Sequence, residues 1–197
     1  MKVSEQCSID SGVINLTFEE IKNDEQQYMM HTYGRFDAAI VSGKGAVAKD
    51  VNGKEYIDFT SGIGVNCLGY CDDGWVKAVS EQAATVQHIS NLYYTPLQTE
   101  VSKKLCELTG FDKVFLCNSG AEANECAIKI ARKYSFDKYG KGRQKIVTLV
   151  NSFHGRTVTT LAATGQDVFH NYFFPFTEGF DYAEANNIDD LKAHIKD

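Results

Sequence analysis

Residues Lys113–Thr157 read KVFLCNSGAEANECAIKIARKYSFDKYGKGRQKIVTLVNSFHGRT, and the order of patterns within them decides the fold class. An apolar run, Lys113 to Cys117, leads into a small-residue turn, Asn118-Ser119-Gly120. Ala123, Cys126, Ala127, Ile130, Ala131 and Tyr134 then recur at the spacing of one face of an α-helix. A second apolar run, Lys145 to Val150, is β-rich and predicts a buried strand. It ends in Ser152-Phe153-His154-Gly155-Arg156-Thr157. In an open parallel sheet, ligands gather outside the carboxyl ends of strands, so both turns are candidate site loops.

Toward the N-terminus, residues 17–31 predict a helix, with Thr17 as N-cap and Glu20 completing a capping box. Ala38 to Val41 reads as a short strand. AVAKDV and KEYIDF flank Asn52-Gly53, which signals a type I′ hairpin and so a small antiparallel sheet. The glycine-rich run 62–74 suits neither period and reads as an ordered loop. A helix is expected over roughly 74–88, and another from Pro96 to Thr109 with Gly110 closing it. Toward the C-terminus, Thr157 to Ala163 suggests a short helix, 165–187 an aromatic-rich loop, and Ile188 to Lys196 a last helix. A small sheet followed by alternating helix and parallel strand argues an α/β class.

The 197 residues suffice to bury a proper core. With 20 basic and 26 acidic side chains the formal charge is −6, and no Lys/Arg cluster stands out. That argues against nucleic acid, whose binding rests on a basic patch, but one well-placed Arg can still take a small anion. The six cysteines, Cys7, Cys67, Cys71, Cys106, Cys117 and Cys126, include no C-x-x-C pair. Cys117 and Cys126 sit in apolar core patterns, so reduced, partly buried thiols are expected and no metal site. The opening MKVSEQCSID has no apolar h-region and no run approaches a membrane span. The expectation is a soluble, cytoplasmic chain.

The two loops carry the chemistry. A helix leaving directly from Ser119-Gly120-Ala121 presents unpaired N–H groups and a partial positive charge, a ready phosphate site. Gly120 lets an oxygen approach without meeting a Cβ, and Ser119 adds a hydroxyl; an ordinary Ser-Gly cap would look the same. At the second loop, Phe153 could lie flat on an aromatic ring, and Arg156 could grip a carboxylate with its fork. The plainer alternative makes Phe153 core and Arg156 a solvated charge.

The runs TYGR (32–35), NGKEYIDFTSGIGVNCLGY (52–70), SNLYYT (90–95), NSGAEANECAIKIARKY (118–134), SFHGRT (152–157) and LAATGQ (161–166) together resemble the N-terminal half of a class III, pyridoxal-phosphate-dependent aminotransferase. The resemblance implies fold type I, with 1–70 in the small N-terminal part and 71–197 the first half of a large, mainly parallel-sheet domain. It implies that Gly120 and Ala121, with Ser119 close by, hold the cofactor phosphate. Phe153 would stack on the pyridine ring, Arg156 would take the substrate α-carboxylate, and Tyr33 would line the substrate pocket. Tyr70-Cys71-Asp72-Asp73 and Asp37 depart from the family pattern, away from both loops.

The implied reaction is ping-pong transamination, N-acetylornithine giving its δ-amino group and 2-oxoglutarate collecting it, in arginine biosynthesis. Ornithine, succinylornithine or 4-aminobutyrate are alternative donors, and a non-catalytic cofactor-binding or partner-pairing fragment is a rival of another class. The family's catalytic lysine and its pyridine-nitrogen acid lie beyond this stretch, and neither Lys192 nor Lys196 matches them. The chain alone is therefore expected to be a truncated, inactive piece, and the complete protein a homodimer.

Overall fold

The structure is a computed structural model and describes residues 16–195. Cys7, Lys196 and the MKVSEQCSID stretch lie outside the described residues. The chain divides into two compact units, Met1–Tyr93 and Tyr94–Asp197. No described helix is long and apolar enough to cross a membrane.

In the first unit, α1 (Phe18–Tyr28) begins with the expected capping box. Thr17 Oγ1 accepts the Glu20 N–H at 3.3 Å, and the Glu20 carboxylate accepts the Thr17 N–H at 2.8 Å. Strands β1 (Ile40–Lys44), β2 (Val47–Asp50) and β3 (Glu55–Ile57) form the expected antiparallel sheet in that order.

The β2–β3 turn differs from the type I′ expectation. Gly53 has φ +85° but Asn52 is not left-handed, and type I′ needs both. Gly53 N–H donates to Asp50 O, and Asp50 N–H to Lys54 O, each at 2.9 Å. The result is a three-residue loop with glycine at its left-handed position. Asp50, only 5% exposed, fixes this geometry. Its Oδ1 accepts the N–H groups of Asn52 and Lys54 at 2.9 Å, and its Oδ2 accepts the Tyr56 hydroxyl at 2.8 Å. Burial pushes its carboxyl up, but these donors outweigh that and leave it below its ordinary value.

The glycine-rich run contains α2 (Ser61–Gly64), a single turn wound left-handed, with φ of 47° at Ser61, 59° at Gly62, 62° at Ile63 and 81° at Gly64. Each non-glycine residue there costs roughly 1–2 kcal/mol. Asp58 offsets that strain: its Oδ1 accepts Thr60 N–H (2.7 Å), Thr60 Oγ1 (2.8 Å) and Ser61 N–H (3.0 Å), and the Tyr70 hydroxyl joins the same carboxylate. Tyr70 in turn exchanges backbone hydrogen bonds with Gly45 at 2.8 and 2.9 Å. Its ring lies where a Cβ on Gly43 would come within 2.7 Å. Asp72 Oδ1 caps α3 (Asp73–Thr85) through Trp75 N–H at 2.9 Å. Residues that depart from the family pattern thus hold the loop that contains them.

In the second unit, α4 (Pro96–Thr109) starts on proline and stops at left-handed Gly110, as its sequence predicts. The segment Lys113–Cys117 is not a strand, because it finds no ladder partner among the described residues. After it come α5 (Gly120–Tyr139), β4 (Ile146–Leu149), α6 (Val158–Ala163), β5 (Phe180–Ala183) and α7 (Ile188–His194). β4 and β5 pair in parallel, Ile146 opposite Phe180 through Leu149 opposite Ala183, with α6 in the crossover. β5 lies inside the segment expected to be a loop. Four residues alternating aromatic and polar carry too little period to be read alone.

The core is smaller than expected. Among the described residues the buried apolar side chains are Ala48, Ile128, Leu161, Ala162, Ala163 and Ala183. The helical face expected to be buried is largely open, with Ile130 at 62% and Tyr134 at 60% exposure. Cys117 is exposed and Cys126 half-buried, against the core pattern expected of them; both are free thiols. A periodic face buries only where another element covers it, and here α5 buries Ile128 instead.

Candidate active site

The two loops of the Lys113–Thr157 stretch converge. Asn124 Nδ2 donates to His154 O at 2.8 Å, and Thr157 Oγ1 donates to the Glu125 carboxylate. Gly155, buried with φ +129°, sits against the first turn of α5. A Cβ built on it would meet Ala121 Cβ and Thr160 Oγ1 at 2.7 Å and Ala121 Cα at 3.0 Å. Only a residue without a side chain permits this approach.

Ser119 is the N-cap of α5, and its Oγ accepts the Glu122 N–H at 3.2 Å. The Glu122 carboxylate turns back to accept Asn118 N–H (2.8 Å), Asn118 Nδ2 (3.2 Å) and Ser119 Oγ (3.1 Å). Those bonds, Asn118 first and then Ser119, hold its carboxyl below the ordinary value. The Ser119 hydroxyl is thus engaged in the cap. Gly120 and Ala121, at the first two helical positions, have N–H groups with no partner inside the helix. A Cβ on Gly120 would meet nothing within 4 Å, so an anion could approach these donors unobstructed.

Phe153 is 54% exposed, which removes the alternative that it is a core residue. The Arg156 guanidinium carbon stands 5.8 Å from the centroid of the Phe153 ring. An open aromatic face beside a cation, next to a helix N-terminus with free donors, suits a flat anionic cofactor: the residues present fit pyridoxal phosphate. Tyr33 belongs to the first unit, where with Arg35 and Phe36 it borders a cavity of about 650 Å³ between α1 and β1.

Three contributors escape the loop-by-loop reading. Glu122 has a local signal, the Ser-x-x-Glu capping pattern at Ser119–Glu122. Asn124 and Gly155 have none, because each acts on the other loop, 30 residues away for the Asn124 bond.

A parallel β4–α6–β5 unit with a phosphate-ready helix start and an aromatic–arginine loop defines an enzyme of the α/β, cofactor-binding kind. Residues 28–196 match the class-III aminotransferase family model, and the chain belongs to that family. Its members are pyridoxal-phosphate enzymes of fold type I. Acetylornithine aminotransferase of Haemophilus ducreyi is 51% identical over 180 residues, covering 91% of this chain and 46% of that protein. Among solved structures, ornithine aminotransferase from Toxoplasma gondii superposes with a TM-score of 0.88 at 30% identity, covering 94% of this chain and 44% of that one. Acetylornithine aminotransferase from Elizabethkingia anophelis gives 0.73 at 29%, covering 91% and 41%. The chain therefore spans less than half the length of these relatives.

Proposed function

We propose that this chain carries the phosphate and ring-face part of a pyridoxal-phosphate site whose complete protein transaminates N-acetylornithine with 2-oxoglutarate. Under this reading 1–70 belongs to the small domain and 71–197 to the large one, and the complete protein is a cytoplasmic homodimer. The observation that carries the site is the seating of Gly155 against Ala121, which brings the two loops to one place. The acetylornithine aminotransferases at up to 51% identity support the substrate.

The N–H groups of Gly120 and Ala121 bind the phosphate with the α5 dipole behind them. Phe153 covers one face of the ring and keeps water from it. Arg156 takes the α-carboxylate, which both the amino donor and the oxo-acid acceptor carry, so one cation serves both half-reactions. Pyridoxal phosphate supplies the electron sink for removal of a proton next to nitrogen. The group that moves that proton is assigned to no residue of this chain.

The Toxoplasma structural match, an ornithine aminotransferase, favours a second reading with ornithine as donor. Steady-state kcat/KM on the complete protein with acetylornithine, ornithine, succinylornithine and 4-aminobutyrate separates the two. For the site itself, the chain is mixed with pyridoxal phosphate, reduced with borohydride and mapped by mass spectrometry. Retention of the cofactor through dialysis with no lysine specifically modified is expected. One specifically modified lysine within these 197 residues would overturn the assignment of the chemistry to a residue elsewhere.

A further inference from the structure

Phe169 ends the 3-10 turn Asp167–Phe169, in a segment whose sequence reads only as aromatic-rich loop. That turn is tied to the Phe153 loop at three points. Asn151 N–H donates to Gly165 O at 2.6 Å, Gly165 N–H to Ser152 Oγ at 3.2 Å, and Gln166 Nε2 to Ser152 O at 3.1 Å. His170 beside it is anchored in turn, its Nε2 lying 3.1 Å from Leu161 O on buried α6. Phe169 is consequently half-buried and backed by fixed structure, whereas Phe153 is open.

The Phe169 and Phe153 ring centroids are 6.1 Å apart and tilted by 58°. The Arg156 guanidinium carbon stands 5.7 Å from the Phe169 ring and 5.8 Å from the Phe153 ring. The three groups form a nearly equilateral triangle. A guanidinium resting on ring faces is held by the rings' quadrupoles, while its N–H edge stays free to meet a carboxylate. If Phe153 also covers a cofactor ring, its hold on Arg156 is shared; Phe169 has no such second duty.

We propose that Phe169 is a positioning residue for Arg156: its ring face orients the guanidinium edge toward the substrate carboxylate and so sharpens selection for substrates that carry one. This rests on the reading of Arg156 as the carboxylate ligand.

The test measures the rate at which phenylglyoxal modifies Arg156, by peptide mapping, with Arg143 in the same digest as internal reference. Wild type is compared with Phe169→Leu, Phe169→Met and Phe169→Tyr, each with and without 2-oxoglutarate in the presence of pyridoxal phosphate. Loss of one cation–π contact is expected to speed Arg156 modification about three-fold in the Leu and Met chains and to weaken 2-oxoglutarate protection by a similar factor. The Tyr chain, which keeps the ring, should behave as wild type. Equal rates in Leu, Met and wild-type chains overturn the inference and leave the Arg156 reading standing, as does a Tyr chain as fast as Leu, since packing alone would then explain the effect. If 2-oxoglutarate fails to protect Arg156 in wild type, the carboxylate reading falls, and the inference with it.

Discussion

Gly155 and Ala121 touch so closely that no β-carbon fits between them: one built on Gly155 would lie 2.7 Å from that of Ala121. This contact joins a turn that follows one apolar run to a turn that follows another. It sets the phosphate donors and the aromatic–arginine loop side by side. Gly155→Ala should therefore combine overpacking with a left-handed φ of +129°, costing about 2–4 kcal/mol. The expected readouts are a lower thermal midpoint and lost retention of pyridoxal phosphate. A variant that melts and binds as wild type would show that the loops need not meet.

Asn124→Ala tests the same junction with less strain. It removes the 2.8 Å bond to His154 O, and a net loss of about 1 kcal/mol is expected. Cofactor retention should fall several-fold while the far-ultraviolet circular dichroism stays unchanged, because α5 has 20 residues and keeps its cap. Equilibrium dialysis against pyridoxal phosphate gives the comparison.

Arg156→Lys keeps the charge but not the fork. Charge-assisted hydrogen bonds are worth about 1.5–3 kcal/mol, and a lysine restores at most part of a bidentate pair. In the complete protein the KM for 2-oxoglutarate should rise roughly ten-fold in Arg156→Lys and more in Arg156→Ala. An unchanged KM in the alanine variant would remove Arg156 from the site.

Acid should loosen both units in a defined direction. Hydrogen bonds hold Glu122 and Asp58 below their ordinary values, led by Asn118 and Thr60 respectively. The unfolded chain therefore binds more protons as pH falls below about 4. The stabilisation is fully present above that unfolded value and drains away as pH drops through the lowered folded values. Melting curves between pH 6 and pH 3 should show a steepening loss of stability, and Glu122→Gln should make that loss shallower. A Gln variant with the wild-type acid slope would assign the effect to other carboxylates.

Much of this protein follows from local chemistry. Thr17 with Glu20, Pro96 with Gly110, and Thr157 ahead of α6 mark helix ends because caps and stops are satisfied within a few residues. The Asn118–Ala121 turn announces a helix start with free donors for the same reason, and the ordered motifs disclose the family. Tertiary structure decided what depends on distant partners. Asp50 overruled the type I′ turn by collecting donors from Asn52, Lys54 and Tyr56. Lys113–Cys117 stayed unpaired, and the open face of α5 stayed uncovered, because a strand and an amphipathic face are completed only by neighbours. Gly155 against Ala121 and Phe169 beside Arg156 belong to the same class. Each joins segments whose patterns are silent about one another, so composition and period carry no trace of the meeting.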